Sequence, residues 1–226
     1  MGTNPQGRDH DHQSRMDFLR ANTRLLSLKL VPEIKLYLAE QSLPIWEKTE
    51  EVLGDRNLPP PYWAFAWVGG QALARYILDN PELVAGKRIV DLGSGSGIVA
   101  IAAKGAGAKH VLAADIDPFA SAAALINATA NNVQLDVTND DILGGPPGDT
   151  DVLLVGDLFY ERGLSKRVIA FMEQTAAADA TVLVGDPRRN YFPAERFTSL
   201  AQYDVPTTRE LEDQEIKRAT VWRWKA

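Results

Sequence analysis

Between residues 87 and 186 the apolar positions cluster into short runs with charged or glycine-rich ends. KRIVDLG, HVLAAD, DVLLVGD and ATVLVGD are such runs, and VQLDVTNDD reads as a further strand and its exit. Segments with helical spacing separate them, over residues 98–105, about 119–131 and about 164–178. Strands that read as unbroken apolar runs are buried on both faces, so their alternation with helices predicts a parallel sheet covered on both sides. After the last run, a loop and a short helix over residues 194–201 lead into EIKRATVWRWK, whose alternation predicts a final strand.

Upstream the pattern is less regular. Phe18, Leu19, Leu25 and Leu26 predict a helix over residues 17–30, and Ile34, Leu36 and Leu38 alternate with Glu33, Lys35 and Tyr37 as in a strand. Pro59, Pro60 and Pro61 stop any regular element, and a helix is expected from near Gly70 to Asp79. The expected organisation is a disordered tail (1–16), an N-terminal arm (17–68) and one α/β domain (69–226) with a mixed seven-strand sheet flanked by helices.

At 45% hydrophobic and 24% charged residues the chain is an ordinary globular one. It has no cysteine, which excludes disulfides and thiolate chemistry and fits a reducing, cytoplasmic setting. His10, His12 and His110 are its three histidines, too few for a histidine-built metal site or triad, so no metal is expected. The net charge is −6 and no Lys/Arg block suggests a nucleic-acid partner. No apolar stretch reaches the roughly 18–20 residues that span a membrane. The head has no apolar core and carries Asp9 and Asp11, unlike a secretory or transit signal.

Asp91, Asp115, Asp141, Asp157 and Asp186 fall at or just past the predicted strand ends, along the edge where open α/β sheets bind ligands. Between the first strand and its helix, Gly93, Gly95 and Gly97 spell G-x-G-x-G; the dinucleotide fingerprint needs a glycine at 98, which is Ile. The loop still lets a ligand approach bare backbone at a helix start, but Asp91 would repel a pyrophosphate and suits an amino group. A ligand with carboxylate, ammonium and nucleoside is S-adenosylmethionine. Asp115 lies 18 residues beyond Gly97, close to the ~20 expected of a ribose-binding acid. Ile116 offers an apolar face for adenine. Asp141, or Asp140 beside it, is an acceptor for the adenine amino group, with Ile142 packing on the ring. Asp117, before Pro118, reads as a helix cap.

VDLGSGSG, AADIDP, NDDIL and DLFYE resemble the class I, seven-strand, Rossmann-like S-adenosylmethionine-dependent methyltransferases. PPPYWAFAWVGGQALARYILDNP, DLFYE and GDPRRNYFP look like the electron transfer flavoprotein β-subunit lysine methyltransferases in their bacterial form, a group close to the ribosomal protein L11 methyltransferases. The resemblance covers about residues 30–225. It implies that Gly93, Gly95 and Asp115 hold the cofactor, with Trp67, Gly69 and Gly70 beside it; Trp63 reads more simply as core. The substrate implied is the flavoprotein β-subunit, methylated on lysines beside an exposed docking loop, by a monomer with no nucleic-acid or membrane partner. Alternatives are a ribosomal protein or small amine as acceptor, or a non-catalytic cofactor-binding module.

Enzymes of this class that methylate planar nitrogens usually carry Asn-Pro-Pro-Tyr at the fourth strand end; here Asp157-Leu158-Phe159-Tyr160 stands there. A carboxylate only accepts and attracts a cation. Asp157 and Tyr160 are therefore the expected catalytic pair, with Asp157 orienting a lysine amine. Phe159, Tyr160 and Glu161 are expected to line the acceptor channel, although Glu161 also suits the first turn of the next helix.

Overall fold

The computed structural model describes residues 5–40, 42–53 and 60–225. The N-terminal arm consists of α1 (Pro5–Asn22), a hairpin of β1 (Arg24–Ser27) and β2 (Lys35–Leu38), and α2 (Ser42–Leu53). Three expectations change here. Helix α1 takes in residues 5–16, read as a disordered tail, and ends at Asn22 rather than near residue 30. Leu25 and Leu26, read as helical, pair across the hairpin with Tyr37 and Leu36. Helix α2 matches no element expected from the sequence pattern. The alternation over Ile34, Leu36 and Leu38 does mark the buried face of β2.

A 3-10 turn at Tyr62–Ala64 follows the prolines and leads to α3 (Val68–Asp79). The parallel unit is β3 (Arg88–Leu92), α4 (Ile98–Gly105), β4 (His110–Ala114), α5 (Pro118–Ala130), β5 (Asp136–Thr138), β6 (Val152–Gly156), α6 (Arg162–Ala177) and β7 (Thr181–Asp186). It ends in an antiparallel pair, β8 (Phe197–Pro206) and β9 (Ile216–Trp224), joined through the one-turn helix α7 (Arg209–Glu212). The sheet order is β5-β4-β3-β6-β7-β9-β8, with β9 antiparallel to both its neighbours, so the sheet is mixed and seven-stranded as expected. The helix expected over residues 194–201 is a 3-10 turn, Ala194–Arg196, running into β8. β8 is an edge strand with few buried residues and a bulge between Ser199 and Ala201, which breaks the period-two pattern that would have marked it.

Successive strand residues face opposite layers. Val152 and Leu154 pack with α3 and α4 residues, Leu73, Ile77 and Ile101 among them; Leu153 and Val155 pack with Val168, Phe171 and Met172 of α6. A third cluster joins the arm to α5 through Leu19, Ile45, Trp63, Phe119 and Ile126. Asn127, fully buried on α5, ties that cluster to the sheet: its side chain accepts from the Tyr37 N–H at 2.6 Å and donates to Ser96 O at 2.9 Å. The arm is thus bonded through one side chain to the glycine loop. No described helix is long and apolar enough to cross a membrane.

Candidate active site

The chain winds from β3 outward through β4 and β5, then returns to add β6 and β7 on the other side. Ligands of open sheets bind where that reversal opens a crevice. A cavity of about 590 Å³ lies there, lined at one end by Gly93, Gly95, Asp115, Ile116, Asp140, Asp141 and Ile142, and at the other by Tyr62, Trp67, Asp157, Tyr160 and Arg189. Pockets of roughly 300–1,000 Å³ hold small organic ligands.

The first end is built from one strand–loop–helix unit and its neighbour. Asp115 is held by the backbone: Oδ2 accepts from the Gly95 N–H at 2.9 Å and Oδ1 from the Asp117 N–H at 3.0 Å. Each oxygen keeps one lone pair for a ligand hydroxyl. Burial pushes this carboxyl up, and the two N–H donors pull against it. Ile116 is 69% exposed on the cavity rim and presents an apolar side chain there. Asp117 caps α5 by accepting from the Phe119 N–H.

Three residues expected at this end sit differently. Asp91 does not line the cavity; it is buried beneath the loop and its Oδ2 accepts from the Ala100 N–H in α4, with burial, and then the Asp115 charge, pushing it up to about 7. Gly97 is also off the wall: it takes φ +80° at the start of α4, where an added methyl would meet Ala124 Cα at 2.9 Å, so its role is helix packing. Asp141 borders the cavity, but both its oxygens accept from Arg167, at 2.8 and 2.6 Å, and Oδ1 also caps the turn at Ile142–Gly144. Its neighbour Asp140 accepts from the Thr138 hydroxyl.

The second end gathers remote segments. Gly69 is not on the wall either; its backbone touches that of Gly185, where any side chain would collide with Gly185 O. That close approach sets the start of α3 against β7, so that the Gly70 N–H donates to Asp157 Oδ2 at 2.8 Å. Asp157 itself has φ +57°, a left-handed conformation uncommon for a non-glycine residue. Its Oδ1 accepts from Arg189 Nε and Nη2 at 3.0 and 2.7 Å, and Nη2 also donates to Glu212 Oε1 at 2.6 Å. The expectation of an Asp157 open to an incoming ammonium is therefore changed: a resident guanidinium already occupies one oxygen. Burial pushes Asp157 up, with the Arg189 charge and the Gly70 N–H opposing. Burial also works against the guanidinium, but Asp157 and Glu212 outweigh it and keep Arg189 charged.

Tyr160 stands at the mouth with its ring 5.3 Å from that of Tyr62, and burial raises its phenol to about 12, so it is a neutral donor at ordinary pH. Trp67 borders the cavity, its Nε1 donating to Tyr62 O, with the Arg189 guanidinium 5.5 Å from its ring centre. Trp63 is core, stacked on Phe119. Phe159 is fully buried against Phe192 and Phe197, so it supports the wall from behind and does not line a channel. Glu161 is the N-cap of α6, accepting from the Gly163 and Leu164 N–H groups, which accounts for it without a substrate. Arg189 and Glu212 were not among the expected site residues. The Arg189 signal is its place in DPRRN, three residues past strand-end Asp186. Glu212 carries no such local mark.

Such an arrangement can hold a nucleoside at the Asp115 end and a long basic side chain at the Tyr160 end. The family model for ribosomal protein L11 methyltransferase (PrmA) matches residues 72–154. The chain is 37% identical to the electron transfer flavoprotein β-subunit lysine methyltransferase of Danio rerio over 215 residues, 92% of this chain and 82% of that one. A ribosomal protein L11 methyltransferase of Symbiobacterium thermophilum is 45% identical, but over 114 residues, 50% of this chain and 38% of that one. In fold the chain is similar to magnesium protoporphyrin IX methyltransferase from Synechocystis, with a TM-score of 0.53 at 17% identity, covering 80% of this chain and 91% of that one.

Proposed function

The chain belongs to the electron transfer flavoprotein β-subunit lysine methyltransferases, and on that premise we propose that it transfers methyl groups from S-adenosylmethionine to lysines of that flavoprotein subunit. The cofactor fits the residues present. Asp115 offers one lone pair per oxygen for the two ribose hydroxyls, Ile116 and Ile142 offer apolar faces for adenine, and Gly93 and Gly95 leave backbone bare for the amino-acid end. Asp140 or Asp141 accepts from the adenine amino group. When bound, the cofactor supplies a methyl group on a sulfonium, already activated for displacement.

The protein's own residues position and exclude. Trp67, Tyr62 and Tyr160 pack into one aromatic wall of the cavity, along which a lysine stem can lie, its four carbons long enough to reach inward while its backbone stays outside. Asp157, fixed by Gly70 and Arg189, keeps one lone pair on Oδ2 to orient the amine, and the neutral Tyr160 hydroxyl can hydrogen-bond to it. Holding two reactants in line in this way is worth ~7–11 kcal/mol of barrier. The net charge of −6 would steer a basic loop toward the surface, an effect that fades with salt. We place the protein in the cytoplasm, where its lack of cysteine is at home.

The observation that carries this reading is that Asp115, Asp157 and Tyr160 share one cavity in a chain aligned with these relatives over 92% of its length. The test is to incubate purified protein, cofactor and recombinant flavoprotein and read intact masses. Methyl increments on the β-subunit are expected; their absence there, with increments on ribosomal protein L11 under the same conditions, would move the assignment to that protein.

A further inference from the structure

The acceptor end holds more charge than orienting an amine requires. Asp157 comes from the end of β6, Asp186 from the end of β7, Glu212 from α7, and Arg189 from the loop after β7. Arg189 bonds to all three acids: its side chain to Asp157 and Glu212, and its backbone N–H to Asp186 Oδ1 at 2.7 Å. The guanidinium borders the cavity and overlies Trp67. Tyr62, Tyr160 and Glu161 flank this end, Asp115 faces it across the cavity, and Arg15 of α1 and Arg167 of α6 line the remaining wall, the latter paired with Asp141.

A lysine ammonium has no lone pair and must lose a proton before it can be methylated. Its ordinary pKa is about 10.4, and a bare carboxylate beside it would hold the proton more tightly still. Asp157 alone would therefore favour binding and oppose reaction.

We propose that Arg189 sets the protonation state of the acceptor lysine: its permanent charge, pinned between Asp157 and Glu212, cancels much of the carboxylate field and leaves Asp157 to orient a neutral amine. This rests on the lysine-methyltransferase reading and adds a residue to it. The ammonium gives its proton to water. The freed nitrogen pair forms the N–C bond as the S–C bond breaks, and that bonding pair stays on sulfur. The methylated nitrogen keeps its two remaining protons as a cation. Arg189 is a positioning residue here: it exchanges no proton and forms no bond with the methyl group.

The test is the pH profile of kcat at saturating acceptor, where the bound amine titrates, using whichever lysine protein the wild-type chain methylates, so that the profile stays readable even if the flavoprotein subunit is not the acceptor. Arg189→Gln should move the acid limb up by about one pH unit or more, a loss of about tenfold near neutrality that is recovered at alkaline pH, with no rise in KM. Arg189→Lys keeps the charge and should keep the wild-type limb even if the rate falls. Glu212→Gln removes a negative charge from the same guanidinium and should move the limb the other way, which decides the matter if the Gln variant of Arg189 does not fold. Calorimetry with S-adenosylhomocysteine should show near-wild-type cofactor-site affinity in all three. A loss in Arg189→Gln that is equal at every pH, or limbs that coincide across the series, would show a purely structural role and overturn the proposal.

Discussion

Gly93, Gly95 and Asp115 lie within residues 93–115, where the Gly95 N–H donates to the Asp115 carboxylate and the Gly93 N–H to Ala114 O next to it. At the other end of the same cavity, Gly70, Asp157, Arg189 and Glu212 come from four segments spread over residues 70–212; the three charged side chains meet one another, and the Gly70 N–H joins them at Asp157. The Gly95–Asp115 bond of the first end forms once β3, its loop and helix, and the adjacent β4 come together. The second exists only when the whole sheet, including its antiparallel edge, has closed. The Asp115 end is therefore held by contacts between neighbouring strands, while the Asp157 end depends on the closure of the whole sheet.

The sharpest way to break this contrast is Asp157→Ala. It leaves a buried guanidinium beside Glu212 without its main partner, and breaking such a pair costs about 3–5 kcal/mol. Urea unfolding should show that loss, together with loss of methyl transfer; a stability cost below ~1 kcal/mol would mean the cluster is not the linchpin described. Asp115→Ala should act locally, weakening cofactor binding by ~1–3 kcal/mol through lost ribose bonds with little change in unfolding. Combining the two substitutions sharpens the comparison, because ends that share no partner should add within ~0.5 kcal/mol in unfolding free energy.

A dependence on pH should be common to both ends. Asp91 beneath the glycine loop and Asp186 beneath the acceptor cluster are each pushed up to about 7, chiefly by burial. The folded chain then keeps protons that the unfolded chain releases near ~3.9. Their contribution to stability is full below that pH and is lost as pH rises through about 7, with a slope of up to ~1.4 kcal/mol per pH unit per acid. Asp91→Asn and Asp186→Asn should each flatten the decline measured between about pH 4 and 8; a wild-type stability that rises over that window would refute the assignment.

The same contrast governs what could be read from the chain. The parallel strands and their helices were legible because burial on both faces leaves unbroken apolar runs, as in Val152–Gly156. β8 was not, since an edge strand with an outward face and a bulge at Leu200 carries no clean period. Asp115 was legible through its distance from the glycines, a short-range relation. The acid at 157 stood out at its strand end, but its partner did not: an ion pair spanning 32 residues leaves no spacing to detect, and Glu212 joins from a further 23 away. Asp91 and Gly97 were assigned to the ligand because their types fit it, whereas Ala100 and Ala124 had the prior claim.

β9 is made after β8 yet lies between β8 and β7. A ribosome delivers residues in order, at roughly 5–20 per second, so β8 emerges with no neighbour to pair with and β7 waits with an open edge. During that interval the strand edge is exposed in the way that invites pairing with other chains. β3 and β4, which carry the Asp115 end, have been made by then, but Glu212, on the link between the two late strands, has not reached Arg189. The order of synthesis thus leaves the Asp157 end to be completed last: its final partner arrives on α7, and the strand that closes the gap in the sheet is the last one made.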